Sequence, residues 1–175
     1  MPTLYIRRQK GKIMSVICSG FGHAEAVYFD HELAVVERYM RLLIEDHGVD
    51  TFYSGTHGNF DLAFANIVYS LKSDYPHIQN VLILSHPPYS KFGHIELPEK
   101  YDYSLYLLEE PCFYKQYVTR TNRAIVDRSA FVIAAVIDGL GGAYSACLYA
   151  KRKGVPILNI YHDIFERFPL PDFAL

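Results

Sequence analysis

The chain has 175 residues, half of them hydrophobic and 21% charged, with a formal net charge of −2. That balance excludes wholesale disorder, and the length suits one domain with a sizeable core. Basic and acidic residues are interspersed, with no block basic enough to make nucleic acid the expected partner.

The longest apolar run, Phe131 to Ile137, fits a buried strand and is too short to span a bilayer. Three cysteines (Cys18, Cys112 and Cys147) without CxxC spacing point to a reduced, cytoplasmic protein. Residues 1–12 are basic and read as an arm or an added strand, ahead of a domain over 13–161. Residues 162–175 form a proline-containing tail.

Ile13 to Cys18 reads as the first strand, ending at a Ser19-Gly20-Phe21-Gly22-His23 turn. Leu33, Val36, Tyr39, Leu42 and Leu43 then recur at helical spacing between His31 and His47. Thr51 to Ser54 is β-prone, and a helix-period pattern covers Phe60 to Lys72, ending before Pro76. Val81 to Ser85 is a short buried strand, followed by a loop from His86 that two prolines impose. A strand over Ser104 to Leu108, a helix over Phe113 to Arg128 and the Phe131–Ile137 strand follow. A helix over Ala143 to Lys153 and a strand over Pro156 to Ile160 complete the pattern. Strands alternating with helices, several apolar on both faces, predict an α/β, Rossmann-like, doubly wound, mostly parallel sheet with helices on both faces.

In such a sheet, ligands bind beyond the carboxyl ends of the strands. Three glycine-bearing segments follow expected strands: Ser19, Gly20, Gly22 and His23; Gly55, Thr56, His57, Gly58, Asn59 and Asp61; and Asp138, Gly141, Gly142 and Ala143. Strand, glycine turn and helix together can present backbone N–H groups to an anion. No Gly-Lys-Ser/Thr follows any of them, and G-x-G-x-x-G is broken by Glu25, which removes the ordinary NTPase and nicotinamide readings.

Arg120 and Arg123 lie three apart on one helical face, with Asp127 four beyond Arg123. They read either as a surface Arg–Asp pair or as a phosphate clamp. Asp61, Glu25 and Asp138 could each serve as a general base, with Asp61 and Glu25 the catalytic candidates, and His23 or His57 could donate a proton. No HExxH or close Cys/His pair exists, so no metal and no resident cofactor are expected. Tyr28, Phe29, Tyr89 and Phe92 lie in turns from which they could stack on a base, and aromatic helix faces could bury a homo-oligomer interface.

The ordered set Gly55-x-x-Gly58-x-Phe60-Asp61, Asn122-Arg123 with Val126-Asp127-Arg128-Ser129, and Asp138-Gly139 with Gly141-Gly142 before Tyr149–Gly154 resembles the SLOG superfamily. That group joins DprA and the "Lonely Guy" enzymes on a Rossmann-like core, and the likeness runs from about Met14 to Ile160, nearest to a small stand-alone bacterial branch. The resemblance implies a pocket for a nucleotide or a nucleotide-derived ligand, such as an ADP-ribose or NAD derivative. It implies walls from Gly55, Thr56, Gly58 and Asp61 and from Gly141, Gly142 and Ala143, bordered by Arg120, Asn122 and Arg123. Ala143 stands where relatives often carry Thr, and Ala24 follows Gly22-His23 where many carry Arg. Tyr144 to Leu148 contain no glutamate of the kind the phosphoribohydrolase branch needs. The expectation is therefore ligand binding, for sensing or sequestration. The alternative is a nucleotide N-glycosidic hydrolase using Asp61 or Glu25, with single-stranded DNA binding a weaker rival.

Overall fold

Apolar segments bounded by turn residues form six strands: β1 (Ile17–Gly22), β2 (Thr51–Ser54), β3 (Gln79–Leu84), β4 (Tyr103–Tyr106), β5 (Phe131–Ala135) and β6 (Ile157–Asn159). Segments of helical period form α1 (Asp30–His47), α2 (Asn59–Leu71), α3 (Tyr117–Arg128) and α4 (Gly141–Lys153). This computed structural model describes residues 14–90, 96–137 and 139–161. The expectations for residues 1–12, the 162–175 tail, Phe92 and Asp138 lie outside the described residues.

The sheet order is β4-β3-β2-β1-β5-β6, and every described pairing is parallel. The chain winds outward from β1 to β4, then crosses back to place β5 against the other side of β1. The switch in strand order therefore lies between β1 and β5, where their carboxyl ends diverge. The fold is doubly wound α/β, with a core on each face. Val36, Met40 and Leu43 of α1 and Phe60, Phe64 and Val68 of α2 pack on Cys18, Phe52 and Ile133. Ile125 and Val126 of α3 and Ala146, Cys147 and Ala150 of α4 pack on Phe21, Tyr53, Val81 and Val132. Cys18 and Phe21 fall on opposite sides because strand residues alternate between faces.

The first strand runs further than the sequence suggests. Ser19 to Gly22 are strand rather than turn, pairing with Val132 to Ala135 of β5. The two glycines share the α2 face, and a Cβ there would stand 2.5 Å from Phe64 Cδ2 at Gly20 and 2.3 Å from Phe60 Cγ at Gly22. These glycines let α2 lie directly on β1. They look like loop residues in the sequence because glycine is otherwise poor in strands. The expected 113–128 helix also divides into a single 3-10 turn over Tyr114–Gln116 and α3 proper.

Overpacking a filled core costs about 1–3 kcal/mol. Gly22→Ala should lower the unfolding free energy measured in urea by that much, with a lower midpoint, and Gly22→Ala with Phe60→Leu should recover part of the loss. An unchanged midpoint in Gly22→Ala would show that the helix–strand contact tolerates a methyl group.

Candidate ligand site at the carboxyl edge of the sheet

The segments after β1, β2 and β5 meet at the switch point. The Ile137 N–H donates to Nε2 of His23 at 3.1 Å, closing the β1 segment onto the β5 segment. Asn59 ties the β1 segment to the start of α2: its N–H donates to Ala24 O at 2.8 Å and its Nδ2 to Ala26 O at 3.1 Å. Gly58 passes so close that a Cβ would lie 2.5 Å from Ala24 Cα. The Tyr28 hydroxyl donates to His23 O at 2.8 Å while its ring packs edge-on against Phe60.

The loop after β2 holds an anion of its own. Asp61, in the first turn of α2, accepts the Gly55 N–H at Oδ1 (3.0 Å) and the His57 N–H at Oδ2 (3.1 Å). The expected anion cradle is thus filled from within by a carboxylate. Burial pushes the Asp61 carboxyl above the usual aspartate range, while the N–H donors of Gly55 and His57 and the His57 ring pull the other way. What the loop offers a ligand is an acceptor for hydroxyl or N–H donors.

The start of α4 has the reverse character. α4 begins after Leu140, with Gly141 at φ 91°, and the Leu140 side chain makes no cap hydrogen bond. The N–H groups of a first helical turn and the positive end of the helix dipole favour an anion. Asn122 of α3 borders this terminus: a Cβ at Gly142 would stand 3.7 Å from its Nδ2. Ala143 is half-buried against the α3/α4 core.

Arg120 and Arg123 are exposed on α3, lining an open groove of about 360 Å3 with Lys115, Gln116 and Thr119. The expected surface pair of Arg123 with Asp127 is replaced by other contacts. Asp127 accepts the Tyr149 hydroxyl at 3.0 Å and pairs with Lys153 at 2.9 Å, while the Arg123 guanidinium lies 5.5 Å from the Tyr149 ring centroid. Helical spacing alone cannot show that α4 supplies nearer partners from the next helix.

Of the remaining candidates, Ser19 is fully buried, with its hydroxyl accepting that of Ser129 at 3.0 Å, and Gly20 lies beneath Phe64. Glu25 and Thr56 are exposed. The structure adds two residues that the sequence reading passed over. Ser85 Oγ lies 2.6 Å from Nε2 of His57 and 2.9 Å from Nδ1 of His86, just beyond β3. A serine and histidine ending an apolar strand on this edge were the available signal, masked by the prolines that follow. Among the described residues, no group of three or more His, Cys, Asp or Glu could hold a metal ion. No described helix is long and apolar enough to cross a membrane.

A raised folded-state pKa means that the folded protein holds the Asp61 proton more tightly than the unfolded chain does. This contribution to stability is present in acid below the unfolded value and is lost as the pH rises through the folded one. A carboxyl-carbon NMR titration should therefore place Asp61 above an exposed aspartate. Asp61→Asn should flatten this part of the stability–pH curve. It should also cost about 1–3 kcal/mol, because an amide presents only one acceptor oxygen to two N–H groups.

No protein-family model matches the chain, and no curated protein matches it significantly. Among solved structures, it is similar to DNA processing protein A (DprA) from Streptococcus pneumoniae, with a TM-score of 0.59 at 16% identity. That match covers 87% of this chain and 52% of the other, so the chain spans about half the length of that protein. The molybdenum cofactor carrier protein from Chlamydomonas reinhardtii gives a TM-score of 0.49 at 11% identity, covering 83% of this chain and 76% of that one. The chain has the Rossmann-like fold that its resemblance to the SLOG superfamily led us to expect.

Proposed function

We propose that the protein binds a nucleotide or nucleotide-derived ligand, such as an ADP-ribose or NAD derivative, for sensing or sequestration in the cytoplasm. The observation that carries this reading is that the β1 segment, tied on one side to the loop after β2 and on the other to the segment after β5, brings two segments of unlike character to one sheet edge. The start of α4, where Leu140 supplies no side-chain cap and Asn122 lies alongside, is the phosphate wall. Asp61, held by Gly55 and His57, is the wall for ribose hydroxyls, which need an acceptor. Arg120 and Arg123 add positive charge on the α3 side.

The hydrolase alternative draws support from Asp61, whose burial favours the protonated form that a general acid needs. Against it, both Asp61 oxygens are engaged by main-chain N–H groups, and Glu25 is exposed. Binding is the better-supported reading.

A ligand at 100 times its Kd stabilises the folded state by about 2.7 kcal/mol. For a chain of this size that raises the melting temperature by roughly 5–10 °C. Thermal-shift screening with AMP, ADP-ribose and NAD should show such a rise for at least one of them. Gly142→Trp should fold and lose the response, since the space around Gly142 is open apart from Asn122. Absence of any shift, or an undiminished shift in Gly142→Trp, would count against this pocket. Release of free base from AMP that stops in Asp61→Ala would favour the hydrolase.

A further inference from the structure

A separate constellation lies one strand away from the switch point. Ser85 follows β3 directly, and the neighbouring β2 supplies His57 from its own carboxyl-end loop. Ser85 and His86 are buried, at 6% and 8% exposure, whereas His57 reaches solvent. The His86 ring sits between Tyr114 (5.3 Å), Tyr117 (5.2 Å) and His57 (6.3 Å). Thr121 Oγ1 approaches Ser85 O at 3.4 Å, bracing the main chain from α3. The His57 main chain is pinned through its N–H to Asp61.

A serine hydroxyl has one proton, so it can donate to only one of the two rings. With His86 as its Nδ1–H tautomer and His57 unprotonated at Nε2, Ser85 can donate to His57 across the 2.6 Å contact and accept from His86 across the 2.9 Å one. A hydroxyl with a base on one side and a donor on the other is arranged to lose its proton, because the donor steadies the oxygen anion as it forms. Burial holds His86 in its neutral form, as does the nearby His57. Nothing in a purely structural serine requires two imidazoles to converge on one oxygen.

The geometry points to Ser85 as a nucleophile, with His57 as its general base and His86 as the donor to Oγ, acting on small carboxylic esters. Ser85 Oγ bonds to the ester carbonyl carbon, and its proton passes to His57 Nε2. The tetrahedral adduct expels the alcohol, which leaves with that proton, and Ser85 is left acylated. Water then attacks the acyl carbon, giving a proton to His57; the acid departs and the proton returns to Oγ. The sum is ester plus water giving acid plus alcohol. This site stands whether or not the switch-point pocket holds a nucleotide.

The test is incubation of the full chain with an alkyl fluorophosphonate, which acylation-competent serines attack with loss of fluoride, read by intact mass and fragment mapping. One adduct on Ser85 is expected, with none in Ser85→Ala. A positioned base contributes about 100-fold or more, so His57→Gln should slow labelling by at least that factor. His57→Gln keeps a side chain that can still bond Ser85, and its exposed position favours an unchanged melting temperature, so it carries the test if Ser85→Ala fails to fold. No adduct on Ser85, equal labelling of a folded Ser85→Ala, or wild-type labelling of His57→Gln would each overturn the proposal.

Discussion

The seating of α2 on β1 sets the geometry on which the rest of the carboxyl edge depends. β1 offers no side chain at Gly20 or Gly22 on that face, and Phe64 and Phe60 occupy the space. Each buried phenylalanine is worth about 1.5–3 kcal/mol relative to exposure, and neither ring fits over a strand that carries Cβ atoms here. With the helix held this close, its first residue, Asn59, reaches Ala24 and Ala26. Its third residue, Asp61, folds back beneath Gly55 and His57. The β1 and β2 segments are thereby locked together before any ligand arrives.

That locking assigns opposite characters to the two walls. A loop whose N–H groups are satisfied by an internal carboxylate needs no anion to hold its shape, and it repels a phosphate. At the start of α4 the N-cap residue is Leu140, whose side chain supplies no such carboxylate. On the function proposed above, an unlike pair of walls suits a ligand with a charged end and a hydroxyl-bearing end, the chemical outline of a ribose phosphate.

Charge is also distributed by face, although the sequence interleaves it. Residues 113–154 carry seven basic residues, Lys115 through Lys153, against the acids Asp127 and Asp138. α1 carries Asp30, Glu32, Glu37, Glu45 and Asp46 against Arg38 and Arg41. α1 and the α3/α4 pair pack on opposite sides of the sheet. A net charge of −2 therefore conceals a polarised molecule whose basic side adjoins the anion-favouring start of α4. Such a field draws anionic ligands toward that wall.

The sequence by itself determined the order of strands and helices, the parallel α/β class and the edge on which ligand chemistry should be sought. Hydrophobic period and turn residues express those features within a few neighbouring positions, where local sterics and i to i+4 spacing act. It could not show where β1 ended, because Gly20 and Gly22 read as a turn until Phe60 and Phe64 are seen packed against them. Nor could it show that Asp61 consumes its own loop, that Asp127 belongs to Tyr149 and Lys153, or that Ser85 lies between His57 and His86. The closure of the switch point rests on His23 and Ile137, which are 114 residues apart. Those partners are chosen when the sheet brings distant loops to one edge and burial requires each polar group to be matched there. Only the tertiary structure makes that choice.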